Sequence, residues 1–341
     1  MLRQHRPGEA LRGLCPPPGR RRTRLPRTLE EPAGIHRQPP DDRAVHKDDR
    51  RNLGQAAGPA ARRTAGPGGL AMKSVFCAQI QTATLGGWWS ASLWFGASFL
   101  GACLGSFGNV LVYRLPRNMS VVRPRSHCPG CNAAVAWYDN IPLVSWLLLR
   151  GMCRSCRTAI PVRYPLLEAG GAACLAAGLL RFGWTVHGLA AGVLLLVLLI
   201  IALIDWEHMI IPHTLTVAGT VVGIAASLQG PPGLRASLLG LVCGAGVILA
   251  VAYGYKLVRG RMGMGGGDVM MMGMLGTFTG PWGVPAVLFA GALLGTLYTV
   301  LGGSRRDDGV AKLPFGTFLA VGGAVIHFYG PEILAWYLSI F

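Results

Sequence analysis

Two aspartates, Asp205 and Asp268, and four cysteines, Cys128, Cys131, Cys153 and Cys156, stand out as residues whose type and setting could do chemistry. Asp205 closes an apolar run from Val193 to Ile204 and precedes Trp206-Glu207-His208-Met209-Ile210-Ile211-Pro212. Asp268 follows Gly263-Met264-Gly265-Gly266-Gly267 and opens a methionine-rich segment. A carboxylate at a long apolar stretch is costly and marks a functional site by default. Two carboxylates brought together cannot easily both ionise, so one holds a proton while the other stays an anion. Amide hydrolysis needs that division: the anion takes a proton from attacking water, and the acid serves the carbonyl oxygen. The glycines before Asp268 permit a sharp bend and leave room for a substrate strand. On the alternative reading each aspartate is a helix cap or an interfacial residue. Glu207, His208 and His213 lie close enough in sequence to assist Asp205. Glu168, after Arg163-Tyr164-Pro165, reads as a cap or a partner of Arg163, and His187 and His327 read as packed or interfacial.

Cys128-Pro-Gly-Cys131 and Cys153-Arg-Ser-Cys156 form two C-x-x-C pairs with 21 residues between them. Two such knuckles supply four thiolates and complete a tetrahedral zinc site, with no position left open for catalysis. The gap is slightly longer than in zinc ribbons. Redox thiols and a metal-free loop are the other readings. The odd total of nine cysteines argues against a disulfide framework.

The elements that must carry these groups are membrane spans. Of 341 residues 51% are hydrophobic and 14% charged, where a soluble domain carries about 25% charged residues. Residues 1–71 are different material: 15 Lys/Arg, 7 Asp/Glu, abundant Pro and Gly, and no apolar periodicity. They are expected to be a disordered basic extension, or the product of a misplaced start, since Met72-Lys73 opens an ordinary membrane-protein beginning. A role for this tail in nucleic-acid binding is not expected. With about 20 apolar residues needed per crossing, spans are predicted near 89–113, 165–182, 187–205, 212–229, 234–255, 269–281, 284–303 and 313–329, with residues 331–341 interfacial or the end of the last span. Small residues within them, such as Gly170-Gly171 and Gly240 to Gly246, suit close helix contacts.

Eight spans put the loops at 114–164, 206–211, 256–267 and 304–312 on one side, with 14 Lys/Arg against three on the other. The positive side is cytoplasmic. Both aspartates and all four cysteines then face the cytoplasm, where thiols stay reduced. The expected fold is an all-α, polytopic transmembrane helix bundle of about eight spans with a cytoplasmic four-cysteine zinc-binding loop. Its parts are the extension 1–71, a first helix within 72–113, the loop 114–164 and a transmembrane core 165–341.

These residues resemble the bifunctional type IV prepilin peptidases, over about residues 97–330. The likeness is carried by Gly105-Ser106-Phe107-Gly108-Asn109-Val110 and Tyr113-Arg114-Leu115-Pro116, then the first cysteine pair. Asn140-Ile141-Pro142-Leu143-Val144-Ser145-Trp146, the second pair and Arg163-Tyr164-Pro165-Leu166-Leu167-Glu168 follow. Asp205 with Ile211-Pro212, the GxGD-type Gly263-to-Asp268 stretch, and Leu313-Pro314-Phe315-Gly316 complete it. The resemblance implies an intramembrane aspartic protease of the bacterial inner membrane. It would cut the basic leader from prepilins or pseudopilins after a glycine, on the cytoplasmic side. It also implies N-methylation of the new terminus with S-adenosylmethionine, an activity tied to the cysteine loop, although no binding fingerprint for that cofactor is visible. Two departures are Met270, where the family has Lys, and His213, where an acidic residue commonly follows Ile-Pro. Met270 removes a cation that could have tuned Asp268. A zinc-stabilised membrane scaffold or ion transporter without peptidase activity is the alternative reading, and a thiol redox protein a third.

Overall fold

A computed structural model describes residues 87–260, 264–303, 305–307 and 310–340. The expected basic extension, residues 72–86 of the first segment and Gly263 lie outside the described residues. The described chain is almost wholly helical. In order it forms α1 (Gly87–Arg114), a short α2 (Val144–Leu148), α3 (Arg163–Phe182), α4 (Val186–His208), α5 (His213–Ser227) and α6 (Leu234–Arg259). These are followed by α7 (Gly266–Val300), a small antiparallel ribbon of β1 (Arg305–Asp307) and β2 (Val310–Lys312), and α8 (Phe315–Leu338).

Six of these helices are long and apolar enough to cross a membrane, and α5 is a shorter apolar helix of 15 residues. The spans expected at 269–281 and 284–303 fall on one helix, α7, which runs for 35 residues and ends at Val300, three residues short of the second expected end. A straight helix of that length would reach about 52 Å, well beyond a hydrocarbon core of about 30 Å. Gly280 resolves the excess: its φ of 69° and ψ of 179° break the helix, and Pro281 restarts it. Leu275 before the break packs against the Gly323 position of α8, and Gly291 after it meets Leu319. Residues 275 and 291 would sit about 24 Å apart in a straight helix, and 319 and 323 only about 6 Å apart. The chain therefore doubles back at Gly280, and 266–279 and 281–300 form two arms of opposite direction. Residues 331–338 are the end of α8, the second of the two expected possibilities.

The helix ends follow from local chemistry. Thr185 caps α4, its hydroxyl oxygen accepting the Gly188 N–H at 3.0 Å. Met209, in the left-handed region with φ 56°, closes the same helix with its N–H on the Asp205 carbonyl. Packing runs along small-residue seams. A Cβ on Gly101 of α1 would lie 2.6 Å from the Gly171 carbonyl oxygen of α3, and one on Gly105 would come 2.9 Å from the Glu168 Cα. Such contacts let helix backbones approach closely, the main attraction available where lipid removes any hydrophobic drive. Ile201 and Ile204 of α4, Met271, Met272, Met274 and Leu275 of α7, and Leu319 of α8 are fully enclosed. Trp282, Leu257, Val242 and Phe289 point outward, the apolar exterior of a bundle whose solvent is lipid.

Candidate active site

Asp205 lies in the last turn of α4 and Asp268 in the first turn of α7. Since α5 and α6 run out and back between them, both carboxylates stand at the same end of the bundle. Ile211, in the linker from α4 to α5, packs against the starts of both α7 and α8. A Cβ on Gly267 would fall 2.8 Å from Ile211 Cβ. One on Gly316 would fall 2.7 Å from Ile211 Cδ1 and 3.0 Å from Asp205 Oδ2. Bare glycine backbone on both sides is what lets the linker fit between the two helix starts.

Each carboxylate meets a helix N-terminus, where unpaired N–H groups and the helix dipole favour negative charge. Asp268 accepts the Gly265 N–H at 3.2 Å, satisfying the N-cap amide of its own helix. Asp205 reaches across the bundle to α8, and its Oδ2 accepts the Thr317 N–H at 2.8 Å. The Thr317 hydroxyl stands 3.2 Å from the same oxygen and 3.1 Å from the Ala202 carbonyl oxygen. Asp205 is only 5% exposed, while Asp268 is half-buried. The helix-cap reading of Asp268 and the paired-carboxylate reading are thus compatible in one geometry. Thr317 did not emerge from the sequence; the one signal for it is its position directly after Leu313-Pro314-Phe315-Gly316.

The neighbours divide differently from expectation. Glu207 is held by Arg163, whose Nη1 donates to both of its oxygens at 2.7 and 3.0 Å, and His208 Nε2 lies 3.9 Å from Glu207. Glu168 is therefore not the partner of Arg163. It is buried in α3 and accepts the Leu143 N–H at 2.7 Å. His187 and His327 are packed, their rings 5.6 Å apart among Phe182, Phe278 and Phe328. Met270 is exposed. Positions two apart on a helix do not face each other, so a cation at 270 would not point at Asp268.

The four cysteines come together in the loop between α1 and α3, on the same side as the aspartates. Their sulfurs all lie within 4.8 Å of one another, and Cys128 Sγ is 3.7 Å from Cys156 Sγ. Zinc–sulfur bonds of about 2.3 Å in a tetrahedron set sulfurs about 3.8 Å apart, so the donor set fits such an ion. The two knuckles are built alike. Asn132 N–H bonds Cys128 O and Cys128 N–H bonds Ala133 O; Arg157 N–H bonds Cys153 O and Cys153 N–H bonds Thr158 O. Asn132 and Arg157 take φ of 56° and 57° at matching places. Hydrogen bonds from the Thr158 hydroxyl and amide draw the Cys156 thiol down to about 6, towards the thiolate that metals bind. Arg154, bidentate on Asp139 at 2.9 and 2.6 Å, holds that carboxyl below its ordinary range.

Where the loop meets α1, a cavity of about 320 Å³ opens between Ser106, Phe107 and Val110 of the helix and Arg125, Ser126 and Asn140 of the loop. Its size is at the lower end of small-molecule sites. Arg114, buried beside it, spends its guanidinium on the Ser120 and Pro124 carbonyl oxygens at 2.9 and 2.8 Å and so shapes the wall.

Comparison with known proteins divides the chain at a similar place. Residues 99–182 match the family model described as the bacterial peptidase A24 N-terminal domain, and residues 192–300 match the type IV leader peptidase family. A Myxococcus xanthus protein named prepilin leader peptidase/N-methyltransferase is 41% identical over 204 residues, 59% of this chain and 61% of that protein. Proteins of the same name from Burkholderia pseudomallei and Aeromonas salmonicida are 35% and 33% identical. Those alignments cover 69% and 72% of this chain and 84% and 94% of the relatives. No solved structure matches.

Proposed function

Since the chain belongs to the type IV leader peptidase family, we propose that it removes the leader from prepilins or pseudopilins by aspartyl acid/base hydrolysis and then methylates the exposed amine. The observation that carries the first activity is the placement of Asp205 and Asp268 at one end of the bundle, on the side of the arginine-rich loop, with Ile211 touching the glycines beside each. The charge asymmetry of the loops supports a cytoplasmic placement of that end, and hence a bacterial inner-membrane enzyme. A substrate anchored by an apolar helix would present its basic leader at the same interface.

The chemistry needs one proton shared by two carboxylates. The ionised member takes a proton from water as its oxygen attacks the scissile carbonyl, while the protonated member hydrogen-bonds the carbonyl oxygen. As the tetrahedral intermediate collapses, the carbon–nitrogen bond breaks and the departing nitrogen receives a proton from the pair. The products are a carboxylate on the leader and a free amine on the pilin. Residues 165–341 form the peptidase core on this reading, and residues 1–71 take no part.

The loop 114–164 is assigned to the second activity. Cys128, Cys131, Cys153 and Cys156 would hold a structural zinc ion that fixes the loop. The relatives' names support a methyl donor, S-adenosylmethionine by the family resemblance, and the α1–loop cavity is the place of suitable size. Phe107 and Val110 would pack its apolar parts, while Arg125 and Asn140 offer donors to its polar ends. When bound, the donor supplies an electrophilic methyl carbon to the amine.

Mass spectrometry of a co-expressed prepilin tests the proposal in one measurement. Asp205→Asn and Asp268→Asn should each lower leader removal at least about a thousandfold while the protein accumulates in the membrane. Cleavage at the original rate in either variant would refute the assignment.

A further inference from the structure

The two acids are not equivalently held, and the difference assigns their roles. Asp205 Oδ2 receives the Thr317 N–H at 2.8 Å and lies 3.2 Å from the Thr317 hydroxyl. Asp268 accepts the Gly265 N–H at 3.2 Å, a longer bond within its own helical turn. Hydrogen bonds donated to a carboxylate favour its charged form, and those to a charged acceptor are the strong ones. We infer that Thr317 is a positioning residue for the hydrolytic reaction, holding Asp205 as the charged member of the pair, the base, and leaving the proton on Asp268, the acid.

The hydroxyl of Thr317 has a single hydrogen and two acceptors within reach, Asp205 Oδ2 and the Ala202 carbonyl oxygen at 3.1 Å. While Asp205 is ionised, the hydrogen turns to the carboxylate. When Asp205 takes the proton of water, the hydroxyl can turn to Ala202 instead. Ala202 precedes Asp205 by nearly one turn of α4, so the second acceptor belongs to the same rigid element. Rotation about one bond follows the proton through the cycle with no movement of backbone. Gly316 makes this arrangement possible. A Cβ there would sit 3.0 Å from Asp205 Oδ2, crowding the oxygen to which the next residue donates.

The inference rests on the reading of Asp205 and Asp268 as the hydrolytic pair, and the experiment separates the two. The full-length protein is reconstituted in lipid with a prepilin substrate, and turnover and KM are measured across pH for Thr317→Val, Thr317→Ser and Asp205→Asn. Thr317→Val should lose about tenfold in kcat at unchanged KM, with the acidic limb of the profile moved up by about one pH unit. The direction follows because an anion that loses a donor needs a higher pH to form. Thr317→Ser should restore both rate and limb. If Thr317→Val alters thermal stability or KM but leaves the limb in place, or if Ser fails to restore it, Thr317 only packs α8 and the inference falls. Should Val not accumulate, Thr317→Ala carries the same comparison. Cleavage by Asp205→Asn at the original rate would bring down the pair itself, whatever Thr317 does.

Discussion

The carboxylate of Glu168, enclosed in α3, accepts the backbone N–H of Leu143 at 2.7 Å. Leu143 has φ 62° and ψ −49°, a conformation that side-chain-bearing residues avoid. A buried acceptor therefore secures a strained turn of the loop to the membrane bundle. Glu168→Ala would leave that N–H without its partner, which costs about 1–3 kcal/mol. The expected outcome is a lower melting temperature and faster proteolysis between residues 120 and 160. Limited digestion of the purified protein checks it, and an unchanged digestion pattern would count against the anchor.

The four sulfurs make a second prediction. The purified protein should contain about one zinc per chain, and Cys153→Ser should reduce that content severalfold. Chelation of the unaltered protein should reproduce the protease sensitivity of the variant, because the metal would join the two knuckles to each other. Elemental analysis with and without chelator reads both. Metal content that Cys153→Ser leaves intact would contradict the site.

Crowding at Asp205 yields a third. Gly316→Ala would set a methyl group 2.7 Å from Ile211 Cδ1 and 3.0 Å from Asp205 Oδ2. Since misplacement by about 1 Å costs about a hundredfold, leader removal should fall by that order while α8 remains intact. Gly246→Ala, where a Cβ meets nothing within 4 Å, is the control and should cleave normally.

The cavity beside α1 separates the two activities. Replacing Phe107 and Arg125 together by alanine should reduce methylation of the cleaved pilin at least tenfold. Leader removal should stay within about twofold, since both residues line the cavity beside α1 whereas Asp205 is held by α8. The ratio of methylated to unmethylated N-terminus in one mass spectrum gives the answer. Loss of both products together would move the donor site elsewhere.

Much of the bundle was legible in the sequence because a membrane imposes one length scale. Apolar runs such as Val186–His208 and Phe315–Leu338 announce themselves. The break in α7 was legible as two runs because Gly280-Pro281 interrupts the pattern. Both aspartates were visible as carboxylates where lipid makes carboxylates rare, and the cysteines through their paired spacing. Thr317 was not, because its bond to Asp205 joins residues 112 positions apart and depends on how α8 packs. Of the two readings of Glu168, cap or partner of Arg163, the ion pair does not form, for a related reason. Its partner is a backbone amide, which no residue type signals, while Arg163 nearby offered a more obvious ion pair and in fact takes Glu207.

The U-turn at Gly280 fixes the parity of crossings for everything after it. If α7 continued as one pass, the connecting ribbon and the start of α8 would emerge at the opposite leaflet. The Thr317 amide would then be a full membrane thickness, about 30 Å, from Asp205. One left-handed dihedral pair thus decides on which face of the membrane the last helix begins. A bulky residue there, Gly280→Val for instance, would do more than bend a helix: it would send the rest of the chain through the bilayer upside down.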